Sequence, residues 1–293
     1  MKRHLLGLML WLLLCGRALA ADAVETAHLS VHDATGSLGW ERLAELAGRE
    51  EAGLAAVRAL WGLEDEEGLA GGRGKIRVVY DQPQRGQCTS TFFLGSGGQR
   101  TLRVFGCPEA PLMLAHKMTS ALMPQPDKLV RNMLGEISEQ RLGRAASFPA
   151  CGQDADDWVR AFEASGLRIP LADLGPDHGS WGMRDEGGGR LIALDRLRQL
   201  RAYAEAGSFA RYLAREHGLE GLKRLQWRTL ESDQRPWAEV FGADLPELER
   251  RWLESLKGGD VDAARAARVE RLARILMGVG GDPCERARRM GGD

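Results

Sequence analysis

The residues best placed to do chemistry stand in the run Leu112-Met113-Leu114-Ala115-His116-Lys117-Met118-Thr119-Ser120-Ala121-Leu122. Residues four apart share one face of a helix. A helix with His at both such positions, and Glu directly after the first, holds zinc and activates a bound water. This chain has His116 at the first position, Lys117 where the Glu would stand and Ser120 at the second. Ser120 is a poor zinc ligand. The Lys117 ammonium is no base at neutral pH, and beside a metal ion it repels by several kcal/mol at an intermediate dielectric. Other residues are weaker candidates. His28 and His32 fall on one face of a short strand and read as surface residues. His178 sits in a loop rich in Gly and Asp and is weighed as a surrogate ligand, as are the acids of Asp154–Asp157. Trp181, in the same loop, is a candidate binding anchor, whereas the other tryptophans of the mature chain fall mostly at helical apolar positions and read as core. Gly179-Ser180-Trp181-Gly182 lacks the first Gly of a serine-hydrolase elbow. Gly71-Gly72-Arg73-Gly74-Lys75 lacks the spacing of a phosphate loop.

These residues need elements to hold them. Alternation and β-rich composition predict strands over 27–32, 75–80, 89–94 and 101–105, with Gly95-Ser96-Gly97-Gly98 as a hairpin turn. Apolar spacing predicts a long or broken helix over 40–60 and helices over 111–123, 129–142 and 155–165. A loop follows over 173–190, then helices over 191–206, 209–216, 222–230, 236–241, 245–256 and 263–277. Strands early and helices late predict an α+β fold, with a small mixed or antiparallel N-terminal sheet and a C-terminal helical bundle.

Three further segments carry a likeness. Asn132-Met133-Leu134-Gly135-Glu136-Ile137-Ser138-Glu139 follows the His116 helix. Gly207-Ser208-Phe209 opens a helical stretch that runs to Gly218, and Gly242 precedes Leu245-x-x-Leu248-x-x-x-Trp252. With the strands and helix before them, these resemble the peptidase MA-like (gluzincin-type) zinc metallopeptidases over roughly residues 25–256. The resemblance implies a domain over 21–256, with the sheet and the active-site-like helix pair in 21–145 and a helical part in 146–256. Residues 257–293 then form an amphipathic helix and a tail. It also implies Glu136 as the third metal ligand, on the helix after His116. Catalytic zinc takes three protein ligands, and the pattern offers His116 and Glu136. The expectation is a pseudopeptidase with a degenerate site at His116, Lys117, Ser120 and Glu136. No cofactor is expected and zinc is disfavoured. Lys117 pairs with Glu136 or Glu139 in place of a metal. A peptide or protein partner would occupy a cleft beside the sheet, with an extended peptide adding to Thr101–Phe105 as the edge strand. Two alternatives stand beside this one. One is an active zinc hydrolase in which His178 or an acid of Asp154–Asp157 completes the site. The other is a structural envelope protein stabilised by two disulfides.

Lys2, Arg3 and His4, the apolar run Leu5–Cys15 and then Ala18-Leu19-Ala20 read as a secretory signal cleaved after Ala20, which places the protein in the periplasm or outside the cell. Loss of Lys2, Arg3 and Arg17 lowers the basic count from 40 to 37 against 41 acidic residues. A mildly acidic chain argues against nucleic acid or an anionic membrane surface as partner. Four cysteines remain, and an even number in an exported chain reads as disulfides. Of three possible pairings, Cys88–Cys107 and Cys151–Cys284 are favoured. The first flanks a hairpin whose ends meet, and the second pins the C-terminal tail to the middle of the chain. The loops so closed are worth roughly 3 and 5 kcal/mol in the chain-entropy model.

Overall fold

The computed structural model describes residues 23–63, 74–83, 88–110, 112–232, 234–258, 262–278 and 281–290. The expected signal peptide, and the glycine-rich loop up to residue 73, lie outside them. The fold is mixed α+β. β1 (Ala23–Glu25) and β2 (Leu29–Asp33) form an antiparallel pair; α1 (Trp40–Trp61) then leads to β3 (Ile76–Asp81). β4 (Thr89–Leu94) and β5 (Arg100–Phe105) form an antiparallel hairpin. The sheet order is β1-β2-β3-β5-β4, with β2, β3 and β5 mutually parallel. α1 buries Leu43, Leu46, Leu54, Val57 and Trp61 on one stripe, the three-and-four spacing of a helix packed on a sheet. Gly62, at φ 63°, closes it in the left-handed conformation.

This topology corrects one expectation. β5, read as the edge strand Thr101–Phe105, lies between β3 and β4, and the edge strands are β1 and β4. The inner position of β5 is set by its parallel pairing with β3, and it buries Leu102 and Val104 on its core face.

α2 (Leu114–Leu122) and α3 (Lys128–Leu142) follow, with Asp127 capping α3 by accepting from the Val130 N–H at 3.0 Å. α4 (Ala155–Ala164) comes next, then a short hairpin of β6 (Met183–Asp185) and β7 (Leu191–Ala193). α5 runs over Arg196–Ser232, followed by α6 (Trp237–Phe241), α7 (Leu245–Lys257), α8 (Ala263–Met277) and α9 (Pro283–Met290). Leu191–Ala193, expected as the start of a helix, is a strand; the helix begins after Asp195, whose carboxylate accepts from the Arg198 N–H. Of the breaks expected over 191–230, the one at Gly218 is present, where the backbone leaves helical geometry (φ 70°, ψ 174°) and divides α5 into two helical segments, and the one near Gly207 is not. Gly207 does not break it: a Cβ there would stand 2.7 Å from Gln140 Nε2 and 3.1 Å from Glu136 Cβ, so this glycine lets α5 close on α3. The quoted C-terminal motifs meet. Trp252 Nε1–H donates to Ser208 Oγ at 3.0 Å, and the Phe209 and Trp252 rings lie 5.4 Å apart.

Both favoured disulfides are present, with Cα–Cα distances of 5.5 Å for Cys88–Cys107 and 5.3 Å for Cys151–Cys284. The second lies in a small core of its own, where Trp158 and Phe162 of α4, Leu200 and Ala204 of α5, Leu272 and Leu276 of α8 and Ala287 of α9 pack together. Among the described residues, no helix is long and apolar enough to cross a membrane.

Candidate functional site

α2 is buried along its length from His116 to Leu122. Its partner α3 turns Asn132, Glu136 and Glu139 to one side, the spacing that puts three side chains on a single helical face. All three are buried. The result is a polar seam inside an apolar interface, and burial requires that its members satisfy each other.

His116 is the hub of this seam. Its Nδ1 lies 2.9 Å from Glu136 Oε1, and its Nε2 lies 3.2 Å from Asn132 Oδ1. Its backbone N–H donates to Glu139 Oε2 at 3.2 Å. Gly135 leaves room for the ring. Desolvation pushes the Glu136 carboxyl well above its usual range, with the neighbouring Glu139 charge adding to the rise. Desolvation, then the nearby Lys117 charge, holds His116 well below the ordinary imidazole value. Both shifts disfavour charge on this buried pair. Burial also raises Glu139, to about 7. A hydroxyl link runs parallel to the seam: Thr119 Oγ1 donates to Ser138 Oγ at 2.6 Å, and Trp61 Nε1–H donates to the same oxygen at 2.8 Å.

Lys117 does not take the part expected of it. It makes no ion pair with Glu136 or Glu139; its Nζ lies 5.9 Å from the Tyr203 ring centroid, and burial lowers its pKa to about 8. His116, a hydrogen-bonded neutral group, is what joins α2 to α3. Ser120 is turned onto its own helix, its Oγ donating to His116 O at 3.1 Å.

This donor set does not fit a catalytic zinc. Both ring nitrogens of His116 are engaged, the Glu136 oxygen nearest to it is engaged, and Ser120 points at backbone. The residues weighed as a third ligand are held elsewhere. His178 Nδ1 accepts from Lys128 Nζ at 2.8 Å, and burial together with the Lys128 charge lowers its pKa to about 4. Asp154 and Asp156 pair with Arg211 at 2.8 and 2.7 Å. Asp157 pairs with Arg265 and Arg268 at 2.5 and 2.9 Å, which fastens α8 to α4. Among the described residues, no three His, Cys, Asp or Glu side chains are grouped to hold a metal ion. His28 is engaged by Glu51 and Arg58, and His32 by Ser30.

The tryptophans change places with respect to expectation. Trp181 is fully buried, donates from Nε1 to Gly175 O at 3.0 Å and packs edge-on to Tyr203. It is no surface anchor, because the 3₁₀ turn at Gly179–Trp181 folds it inward. Trp40 and Trp227 are instead 57% and 63% exposed.

A cleft of about 570 Å³ opens between the first half of β4 and the helices. Thr89, Ser90 and Thr91 form one wall. Lys117 and Tyr203 line it from the helical side, and Arg288 of α9 closes the end. Next to it the tip of the β6–β7 hairpin meets Thr91 and Phe93 of β4. Thr91 Oγ1 donates to Gly189 O at 2.7 Å, and a Cβ at Gly189 would stand 2.4 Å from the Phe93 ring. Sequence reasoning missed Asn132, whose spacing from Glu136 and Glu139 was the available signal. It also missed α9 as a wall of the cleft; nothing in its short polar sequence marks it out. No family model, characterised protein or solved structure matches the chain.

Proposed function

We propose that this is an exported, catalytically inactive protein on a metallopeptidase-like scaffold, and that it acts by binding a peptide or protein segment in the cleft beside β4. The observation that carries the reading is the state of His116. A histidine that would be a metal ligand in an active relative is here spent on Glu136, Asn132 and the packing of two helices. The positions around it are filled by a lysine and a backbone-bonded serine. A water-activating site needs an open coordination position and a base, and the arrangement supplies neither. What is left of such a site is its cleft, with an edge strand along one side, and edge strands recruit extended peptides through main-chain hydrogen bonds.

Metal content is the direct test. The mature chain, expressed with its disulfides formed and without a metal-binding tag, should carry zinc far below one equivalent by elemental analysis, and His116→Ala should leave that value unchanged. Zinc near one equivalent, lost in the variant, would end the proposal and make an active hydrolase the reading to pursue.

A further inference from the structure

We infer that the cleft selects a carboxylate, carried by an extended peptide and received by the Lys117 ammonium and the Ser90 hydroxyl. The inference rests on the peptide-binding reading above and deepens it by naming what is recognised. Two polar side chains line the cleft without satisfaction inside the protein. Lys117 is 9% exposed and Ser90 is 8% exposed. The Ser90 Oγ is buried with no hydrogen-bond partner among the described residues. Lys117 makes no hydrogen bond or ion pair there either; its Nζ faces the Tyr203 ring, and Glu136 and Glu139 act on it only through space. Of the other polar groups, Glu285 lines the end of the cleft on α9, and the following are matched within the protein. Thr91 donates to Gly189 O, Arg196 pairs with Asp282 at 2.5 Å, and Arg288 donates to Ala146 O at 2.9 Å.

An enclosed donor left unmade, as at Ser90, costs free energy, and a charge held in a mostly buried wall gains from an opposite charge. A single ligand group that meets an ammonium and a hydroxyl at once is an anion with acceptor oxygens, and a carboxylate fits both. The source is committed by the wall that carries Ser90. It belongs to β4, an edge strand of the sheet, whose backbone groups can pair with an extended chain but offer nothing comparable to a small acid. The carboxylate is then either an Asp or Glu side chain or the peptide's own C-terminus.

A randomised octapeptide library distinguishes these, offered to the immobilised, disulfide-intact mature chain with free and with amidated C-termini. Retained peptides should be enriched in carboxylate by roughly tenfold to a hundredfold, the worth of one charge-assisted hydrogen bond. Enrichment of free termini assigns the C-terminus; enrichment of Asp and Glu in the amidated arm assigns a side chain. Lys117→Met should erase the enrichment and Lys117→Arg should retain it. Should Lys117→Met fail to fold, Ser90→Ala serves in its place and should weaken the preference. Peptides retained with no carboxylate preference would overturn the inference and leave the peptide-binding reading intact. Nothing retained in either arm would overturn both.

Discussion

At Gly135 a Cβ would stand 2.5 Å from the ring carbons of His116, so the helix gives up side-chain volume at this position to admit the imidazole. The pair makes a coupled prediction. Gly135→Ala alone should destabilise by about 1–3 kcal/mol through overpacking. His116→Ala alone should cost about 2–4 kcal/mol, because Glu136 and Asn132 lose their partner in a buried seam. In the double variant the added methyl enters vacated space and carries the helix preference of Ala over Gly, close to 1 kcal/mol. The double variant should therefore be more stable than His116→Ala alone. Urea unfolding of the four chains checks this, and strictly additive losses would mean that ring and helix do not compete for the same volume. Part of this seam was legible beforehand, since the resemblance set Glu136 opposite His116 and Glu139 stands one helical turn beyond Glu136. That Lys117 stays apart while a neutral His makes the link was not legible. Both cationic and hydrogen-bonded bridges obey the same spacing, and burial decides between them.

Between elements, Glu205 of α5 is buried and accepts from the Ile169 N–H at 2.9 Å, which ties the segment after α4 to the long helix. Desolvation raises its carboxyl from 4.5 to about 8. In this window the folded chain holds a proton that the unfolded chain has lost, so the contribution of Glu205 is full below about 4.5 and declines as pH rises toward about 8. Glu205→Gln keeps an acceptor and removes the titration. Its stability relative to the parent chain should therefore improve steadily with pH across that window, by denaturant unfolding; a constant difference would show that the carboxyl does not carry the dependence. Element boundaries were legible where capping and periodicity agreed, as in α1, α7 and α8. They were misread at Gly207 and at Leu191–Ala193. A glycine signals a turn and a close helix contact by the same absence of a side chain, and three apolar residues serve a strand or a helix equally well.

Over the whole molecule, the α+β order of elements and both disulfides could be read from the chain, because they depend on local pattern and on cysteine parity. The edge strand could not, since it is decided by which strand pairs with β3 across a long separation. The Cys151–Cys284 bond spans 133 residues and joins α9 to a core that the main hydrophobic core does not share. Replacing both cysteines by Ser should lower stability by about 3–5 kcal/mol in the chain-entropy account. The loss should be local before it is global: amide exchange followed by mass spectrometry should rise first in α8 and α9, ahead of α1 and the sheet. Uniform acceleration would mean that the two cores unfold as one. The same bond has a consequence in the order of synthesis. Arg288 and Glu285, which line the end of the cleft, are synthesised after the sheet and α2, and Cys284 beside them is held by a covalent bond that needs an oxidant. A nascent or reduced chain can thus assemble its sheet and its His116 seam while its cleft still lacks one wall, so the proposed partner binding would await closure of that wall in a compartment where thiols are oxidised.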